Sequence, residues 1–469
     1  MGRRGPVHAV DAPGPEPAEM LRAVPILARD PLAYLERVVA RYGDLVAFPM
    51  PRRPVLLVND PAGARRVLQD APGNYLKRTV QYAALAEVTG QGLLVSDGDV
   101  WRAHRRLVRP AFHREVSARC AAQAVRAGDE LRRAWDAAGP ARPLDADAAV
   151  MRGMLRLVGR TLLASDLDVE AARIVAAVDD ALRLLVHRAR SPVPAGWPTP
   201  SRWRLRRAVR VLDATCAALV ASRRTAAPPE RAPDLLGLLL AAADAAELTA
   251  DEVRDELVTM VIAGYETVAS ALVWTLGLLA DHPPVQRELA AELSTVLGGR
   301  HPTAADLGAL RLTRAVVDES LRLYPPAWVI TRVAAGPDEL VGVRIPARTL
   351  VILSPWLLHR RAADWPEPTR FDPRRFVAAA GAGGTDRRDP APAAVRSAAP
   401  CATYLPFGLG PRLCIGRDLA LVEAVLVLAT LLRDRWVARP PGALPPRPKA
   451  LVTLRPRGGQ PLLLTRDQQ

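Results

Sequence analysis

The chain has 469 residues, 49% of them hydrophobic, enough to fill one large domain or two or three ordinary ones and too many for a disordered protein. Its net charge of +15 and pI near 10.7 come almost wholly from arginine, since Lys77 and Lys449 are the only lysines, and no helix-turn-helix, zinc-finger or basic-aromatic sheet pattern accompanies that charge to support a nucleic-acid binder. Cys120, Cys216, Cys401 and Cys414 form neither a close pair nor a metal-finger spacing and no secretory apolar region precedes them, so a reducing, cytoplasmic setting is expected.

Residues 1–18, rich in proline and glycine, are expected to be disordered, and no membrane anchor is read in them. Asp30 is a good N-cap for a helix over 31–41, where Leu32, Leu35, Val38 and Val39 recur at helical spacing until Gly43. Two β-prone runs, 45–48 and 55–58, flank the hairpin-like signal Pro51-Arg-Arg-Pro54, and Asp60-Pro61 opens a helix to about 69. The glycine-rich stretch 71–99 lacks periodicity and is expected to be a long connection of the kind that carries function. A basic helix starts at Val100. On it Trp101 and Arg105, four apart, share a face, while Arg102, Arg106 and Arg109 fall elsewhere and offer a docking patch to an acidic partner.

Four helices are expected over 116–135, 148–163, 169–187 and 202–224. A long one follows at 251–280, apolar enough from 257 onward to span a bilayer, yet Glu266 at its centre and the acidic residues at its start favour a buried core helix. Within it Thr267 can turn its hydroxyl back to the Ala263 carbonyl, and Gly264 removes bulk one turn earlier, so the helix can open locally. Glu266 beside Thr267 sets an acid next to an alcohol, a path for protons. Helices over 284–297 and 303–323 come next, and in the second Glu319 and Arg322 carry opposite charges at i,i+3. Strands are expected at 328–333, 340–343 and 350–353. The Ala/Gly/Pro-rich segment 377–400 reads as a disordered surface insertion, and 451–464 as a final β pair whose turn near Gly458 and Gly459 reaches the substrate.

The strongest signal is Phe407-Gly-Leu-Gly-Pro-Arg-Leu-Cys-Ile-Gly416, which runs into an apolar helix over 417–433. A cysteine just ahead of a helix start faces unpaired N–H groups and the positive end of the dipole, which favours the thiolate and makes Cys414 a plausible anionic metal ligand. Gly408, Gly410 and Gly416 let the backbone pass close to something large and flat. Arg412 is placed to hold a carboxylate.

The spacing of Phe407, Gly410, Arg412, Cys414 and Gly416 resembles the cysteine-ligand loop of the cytochrome P-450 superfamily, the haem-thiolate monooxygenases, in its soluble bacterial form. Ala263-Gly-Tyr-Glu-Thr267, Glu319-Ser-Leu-Arg322 and the Trp101/Arg105 pair match further elements of the family in the right order. The resemblance implies one mainly α-helical domain over 19–469, of about a dozen helices with small β-sheets. It implies heme b with Cys414 as the iron's axial thiolate, propionates bound by Trp101, Arg105 and Arg332, and cofactor contacts from Phe407, Arg412 and Gly416. Glu266 and Thr267 would deliver protons. Val268 stands where the family often has a second hydroxyl, so no auxiliary hydroxyl is expected. Glu319, Arg322 and Arg375 would form a buried network that holds the cysteine loop. Ala263, Gly264, Val268, Ala327, Val329 and Ile330 would line the substrate pocket, with 75–94 shaping specificity.

The implied reaction inserts one atom of dioxygen into a C–H bond or C=C of a hydrophobic small molecule, such as a terpenoid, fatty acyl or polyketide-type metabolite. No flavin- or nicotinamide-binding glycine pattern is found in the chain, so electrons are expected from a separate ferredoxin or flavodoxin with its reductase. A peroxide-driven peroxygenase is the alternative within enzymes, against which the acid-alcohol pair argues. A basic helical nucleic-acid-binding protein is the alternative from another class.

Overall fold

The computed structural model describes residues 10–51, 53–167, 171–189, 199–225, 234–381 and 402–466. Its organising element is the central helix Ala250–Asp281, started by a capping box in which the Thr249 hydroxyl and the Glu252 carboxylate each bond the other's backbone N–H. Apolar residues occur all round it, and it is buried along most of its length, which makes it a core helix although it is long and apolar enough to cross a membrane. The helix Ala146–Leu162 packs along it on one side. The cysteine helix Arg417–Leu432, equally apolar all round, lies against the helix Arg114–Ala138. Gly128 permits that approach, since a Cβ there would sit 2.6 Å from the Cβ of Thr430.

The expected mainly α fold with small sheets is what forms, with sixteen α-helices among the described residues. A five-stranded sheet flanks the helical body in the order Leu45–Phe48, Val55–Val58, Leu350–Leu353, Ile330–Ala334, Tyr75–Leu76. The first two strands pair antiparallel, Leu45 opposite Val58, and Val55 runs parallel to Leu350.

Several expectations change. The helix Pro17–Arg29 was not expected, and from residue 10 the N-terminal segment is ordered: Val10 is buried against the sheet, and Ala47 N–H donates to the Pro13 carbonyl at 2.9 Å. Residues 1–9 lie outside the described residues. The helix over 61–69 is Pro61–Arg65 followed by a π turn, Arg66–Asp70. The long connection contains the strand Tyr75–Leu76 and the helix Val80–Thr89, whose apolar residues are spread round its circumference and give no periodic signal. Leu235–Asp244 escapes a periodicity search for the same reason. The single strand over 340–343 is two, Asp338–Leu340 and Val343–Ile345, because Val341 (φ 51°) and Gly342 (φ 80°) form a two-residue hairpin turn.

At the insertion, helix Arg374–Gly381 extends into the stretch from 377, and 382–401 lie outside the described residues. The final pair also differs. Leu454–Pro456 pairs with Pro448–Ala450, whereas Pro461–Thr465 joins Leu144–Asp145 and Trp436–Ala438 in another sheet. The turn at Gly458 and Gly459 therefore bridges two sheets and packs on Asp145 rather than reaching the main cavity.

Candidate active site

Between the central helix and the cysteine loop lies a cavity with about 1670 Å³ of empty space, part of it continuous with solvent. Ala263, Gly264, Thr267, Val268 and Ala271 form one wall, and Phe407, Gly408, Cys414 and Gly416 face them from the loop. The loop's shape follows from its residues. Cys414 N–H donates to the Phe407 carbonyl at 3.0 Å, closing a turn that leaves the sulfur pointing into the cavity. Gly410 has φ 70°, and a Cβ on it would fall 2.2 Å from the Leu68 carbonyl oxygen. That glycine is thus required by the protein's own backbone, not by a flat ligand.

The Cys414 side chain borders open space yet is ringed by protein. Burial pushes its thiol up, while the Gly416 N–H, Arg105 and Arg417 pull it down. A bound metal cation would complete the ionisation.

One edge of the cavity gathers cations. Arg105 donates to the Leu413 carbonyl at 3.0 Å, and Arg412 stacks on the Trp101 ring at 4.0 Å while donating to Ser96 O (2.8 Å) and Asp97 Oδ1 (2.5 Å). Arg332, from the sheet, donates to Tyr82 Oη at 3.1 Å. Lys77 is buried beside them. Burial lowers Arg412 to about 10, opposed by Asp97 and reinforced by Arg332 and Arg105. Asp97 is the one carboxylate bonded within this group among the described residues. Four buried or half-buried cations with one acid between them call for an anionic ligand. A flat dianionic macrocycle with a thiol-seeking metal fits both the cations and Cys414.

On the opposite wall, Thr267 Oγ1 donates to the Ala263 carbonyl at 2.8 Å, as its spacing led us to expect, and the central helix stays regular there. Gly264 seats Val158 of the neighbouring helix, whose Cγ2 would lie 3.1 Å from a Cβ. Glu266 is on the other face. Its carboxylate does not line the cavity; it accepts from Thr453 Oγ1 at 2.7 Å and lies 4.0 Å from Arg455. Burial raises it to about 7 against the pull of Thr453 and Arg455.

The ion-pair network forms as expected. Arg322 and Glu319 are fully buried, bonded at 2.7 and 2.8 Å, and Arg375 Nε reaches Glu319 Oε1 at 3.2 Å. Its link to the cysteine loop is His359, which the sequence reading missed. Leu405 N–H donates to His359 Nε2 at 2.8 Å, which leaves Nδ1 to donate to the Arg322 carbonyl at 3.0 Å. Burial drives His359 down to about 3, so the ring stays neutral and this tautomer is fixed.

A family model for cytochrome P450 matches residues 12–462. The chain belongs to the cytochrome P450 family. It is 34% identical to cyclooctatin synthase of Streptomyces melanosporofaciens over 92% of this chain and 91% of that protein, and 36% identical to cyclooctat-9-en-7-ol 5-monooxygenase of the same organism over 92% and 89%. Pentalenene oxygenase of Streptomyces avermitilis is 33% identical over 92% and 93%. Among solved structures, CYP175A1 from Thermus thermophilus superposes with a TM-score of 0.74 at 30% identity, over 97% of this chain and all of that one. As a P450 this protein is a monooxygenase, and its cofactor is haem with a cysteine thiolate as axial ligand.

Against that frame Trp101, Arg105, Arg332, Phe407, Arg412, Cys414 and Gly416 all border the cavity, as do Ala263, Gly264, Val268, Ala327 and Ile330. Val329 does not. The chain bends at Pro326 and Ala327 before the strand begins at Ile330, so side chains do not alternate regularly and Val329 turns out of the lining. Lys77 and Tyr82 border the cavity and were missed as individual residues, although both fall in the 75–94 stretch assigned to the pocket. One signal was present: Lys77 is one of two lysines in a chain that otherwise carries its positive charge on arginine.

Proposed function

We propose that this P450 inserts one oxygen atom from dioxygen into a C–H bond or C=C of an uncharged terpenoid, working in the cytoplasm on electrons from a ferredoxin or flavodoxin served by its own reductase. The observation that carries the substrate class is the division of the cavity. Its cations are collected at the edge around Trp101 and Arg412, while the wall around Thr267 is Leu93, Val158, Leu162, Met260, Val268, Ala271 and Ile330. An apolar wall with no cation among the described residues that form it suits a hydrocarbon skeleton better than a fatty acid, whose carboxylate would be left unpaired there. Relatives named for cyclooctatin and pentalenene chemistry support the same class.

Cys414 would hold the haem iron through its sulfur, and Trp101, Arg105, Arg332 and Arg412 would hold the propionates through guanidinium and indole donors suited to carboxylates. When bound, the haem supplies the oxygen chemistry, with thiolate donation favouring O–O cleavage. Thr267 borders the cavity with its hydroxyl on the Ala263 carbonyl, and Glu266, which burial pushes up to about 7, can hold a proton on the adjoining face of the helix. Gly264 lets Val158 of the neighbouring helix pack close beside it, and both add apolar surface to the cavity wall.

Spectral titration tests this reading. A cyclic terpene hydrocarbon should displace water and shift the Soret band at micromolar concentration, and a long-chain fatty acid should not. The reverse ranking would sink the substrate class. Turnover should require a ferredoxin or flavodoxin with its reductase; equal rates with hydrogen peroxide would instead favour a peroxygenase.

A further inference from the structure

On the side of the central helix turned from the cavity, the buried guanidinium of Arg455 faces the carboxylates of Asp147, Asp179 and Glu266. Arg455 lies on the strand Leu454–Pro456 and bonds Asp147, of the helix Ala146–Leu162, through both Nε (2.9 Å) and Nη2 (2.7 Å). That paired contact neutralises one charge with one charge. The remaining arm, Nη1, donates to Asp179 Oδ1 at 3.2 Å, and the same nitrogen stands 4.0 Å from Glu266 Oε1, too far for a hydrogen bond. Asp179 and Glu266 therefore compete for one nitrogen. Asp179 belongs to the helix Ala171–Ala189, which adds no residue to the cavity lining among the described residues, and its side chain is 24% exposed. Its other oxygen, Oδ2, accepts from Arg183 at 2.6 Å, which fixes the carboxylate with Oδ1 toward Arg455.

We propose that Asp179 is a positioning residue for the oxygenation: it holds the remaining arm of Arg455 off Glu266 and so keeps a proton on that acid. The inference rests on Glu266 being the stored proton of the proposed reaction. A guanidinium that bonds a carboxylate favours its ionised form, whereas a buried carboxylate left without that bond retains its proton. The groups that face Glu266 are Thr453 and Arg455 from the C-terminal hairpin, Asp147 and Asp179 from two helices, and Tyr265 beside it. Of these only Arg455 brings a positive charge, and Asp179 decides where its last N–H group points. A movement of roughly 1 Å would bring Nη1 within bonding distance of Glu266. The proton supply is thus set from a helix that borders neither the cavity nor the cysteine loop.

The test uses the holoenzyme carrying Asp179→Asn, with Asp179→Ser as a second variant should the first accumulate poorly. Product formed per electron consumed is measured on a cyclic terpene hydrocarbon between about pH 5.5 and 8.5. With the competing charge gone, Arg455 closes on Glu266 and ionises it earlier, so the fall in coupled turnover should move to lower pH by about one unit. Terpene binding and the reduced carbon monoxide spectrum should stay as in the unsubstituted protein, and Asp179→Glu should restore the profile. An unmoved profile, or one moved to higher pH, overturns the proposal. A second arm separates bonding from plain charge. In an Arg455→Lys background, whose ammonium lacks the extra arm, Asp179→Asn should cause no further shift; an equal shift there would show that Asp179 acts without Arg455 and would also overturn it. Failure of the underlying reading looks different: Glu266→Gln would keep the rate and the pH profile of the unsubstituted protein, whereas a flat Gln profile with an unmoved Asn profile removes Asp179 alone.

Discussion

Glu266 and Thr267 are consecutive, yet a helix turns about 100° per residue and sends them to opposite surroundings. Thr267 faces the cavity; Glu266 faces Thr453, 187 residues away in sequence. Removing the hydroxyl by Thr267→Ala should leave haem and substrate binding intact and lower product formed per electron consumed about tenfold, measured as product against reduced donor oxidised. The acid predicts a pH dependence. Burial raises Glu266 from 4.5 to about 7, so between those values the folded protein keeps a proton that the unfolded chain has released. Its contribution to stability is therefore full below about 4.5 and lost as pH rises through 7. Over the same range the population able to donate a proton falls. Coupled turnover should decline as pH passes 7, while Glu266→Gln should be slower by roughly 10²-fold and flat across that range. A Gln variant that retains both the rate and the profile would remove Glu266 from the reaction.

At the scale of elements, the site is two supports held at a fixed separation. The central helix is one. The cysteine loop is the other, and it has little regular structure of its own, so its position depends on what grips it. Gly410 lets it press on the Leu68 carbonyl, Arg105 fastens the Leu413 carbonyl, and His359 ties Leu405 to the Glu319–Arg322 pair. Arg322 also donates to the carbonyls of His359, Pro368 and Arg370, so one buried guanidinium satisfies acceptors on three residues of the segment before the loop. Replacing Glu319 by Gln leaves Arg322 and Arg375 short of their shared counter-charge, a loss of roughly 3–5 kcal/mol for a broken buried pair. The expected result is protein that accumulates poorly and without haem. His359→Leu should be milder, about 1–3 kcal/mol for the unpaired Leu405 N–H and Arg322 carbonyl, and visible as faster haem loss at an elevated temperature. Haem retention equal to that of the unsubstituted protein would show that the loop is held without this histidine.

For the molecule as a whole, exposed ion pairs such as Arg41–Glu19 and Arg370–Glu367 contribute little to stability, and the net charge of +15 is the excess of cationic side chains beyond all such pairs. Their consequence lies in association. On the Gly98–Val108 helix, Arg102 and Arg106 are exposed while Arg105, on the same helix, reaches the cysteine loop, so an acidic donor attracted to this surface would arrive close to the haem edge. Raising ionic strength from about 0.05 to 0.5 M should slow electron transfer from an acidic ferredoxin severalfold with little effect on terpene binding. Salt-independent transfer would place docking elsewhere.

Sequence alone determined the family, the helical class and the chemistry-bearing groups, because each is written in short spacings: Phe407 to Gly416, Ala263 to Thr267, Glu319 to Arg322, Trp101 and Arg105. Local geometry carries such signals, since hydrogen bonds along one turn and side chains on one face need no distant partner. Tertiary structure decided which groups meet. Lys77 with Arg412, His359 between Arg322 and Leu405, and Glu266 turned to Thr453 are contacts between segments far apart in the chain. The helices Val80–Thr89 and Leu235–Asp244 stayed hidden for a related reason. A segment apolar on every side shows no period, and only the core that surrounds it reveals the helix.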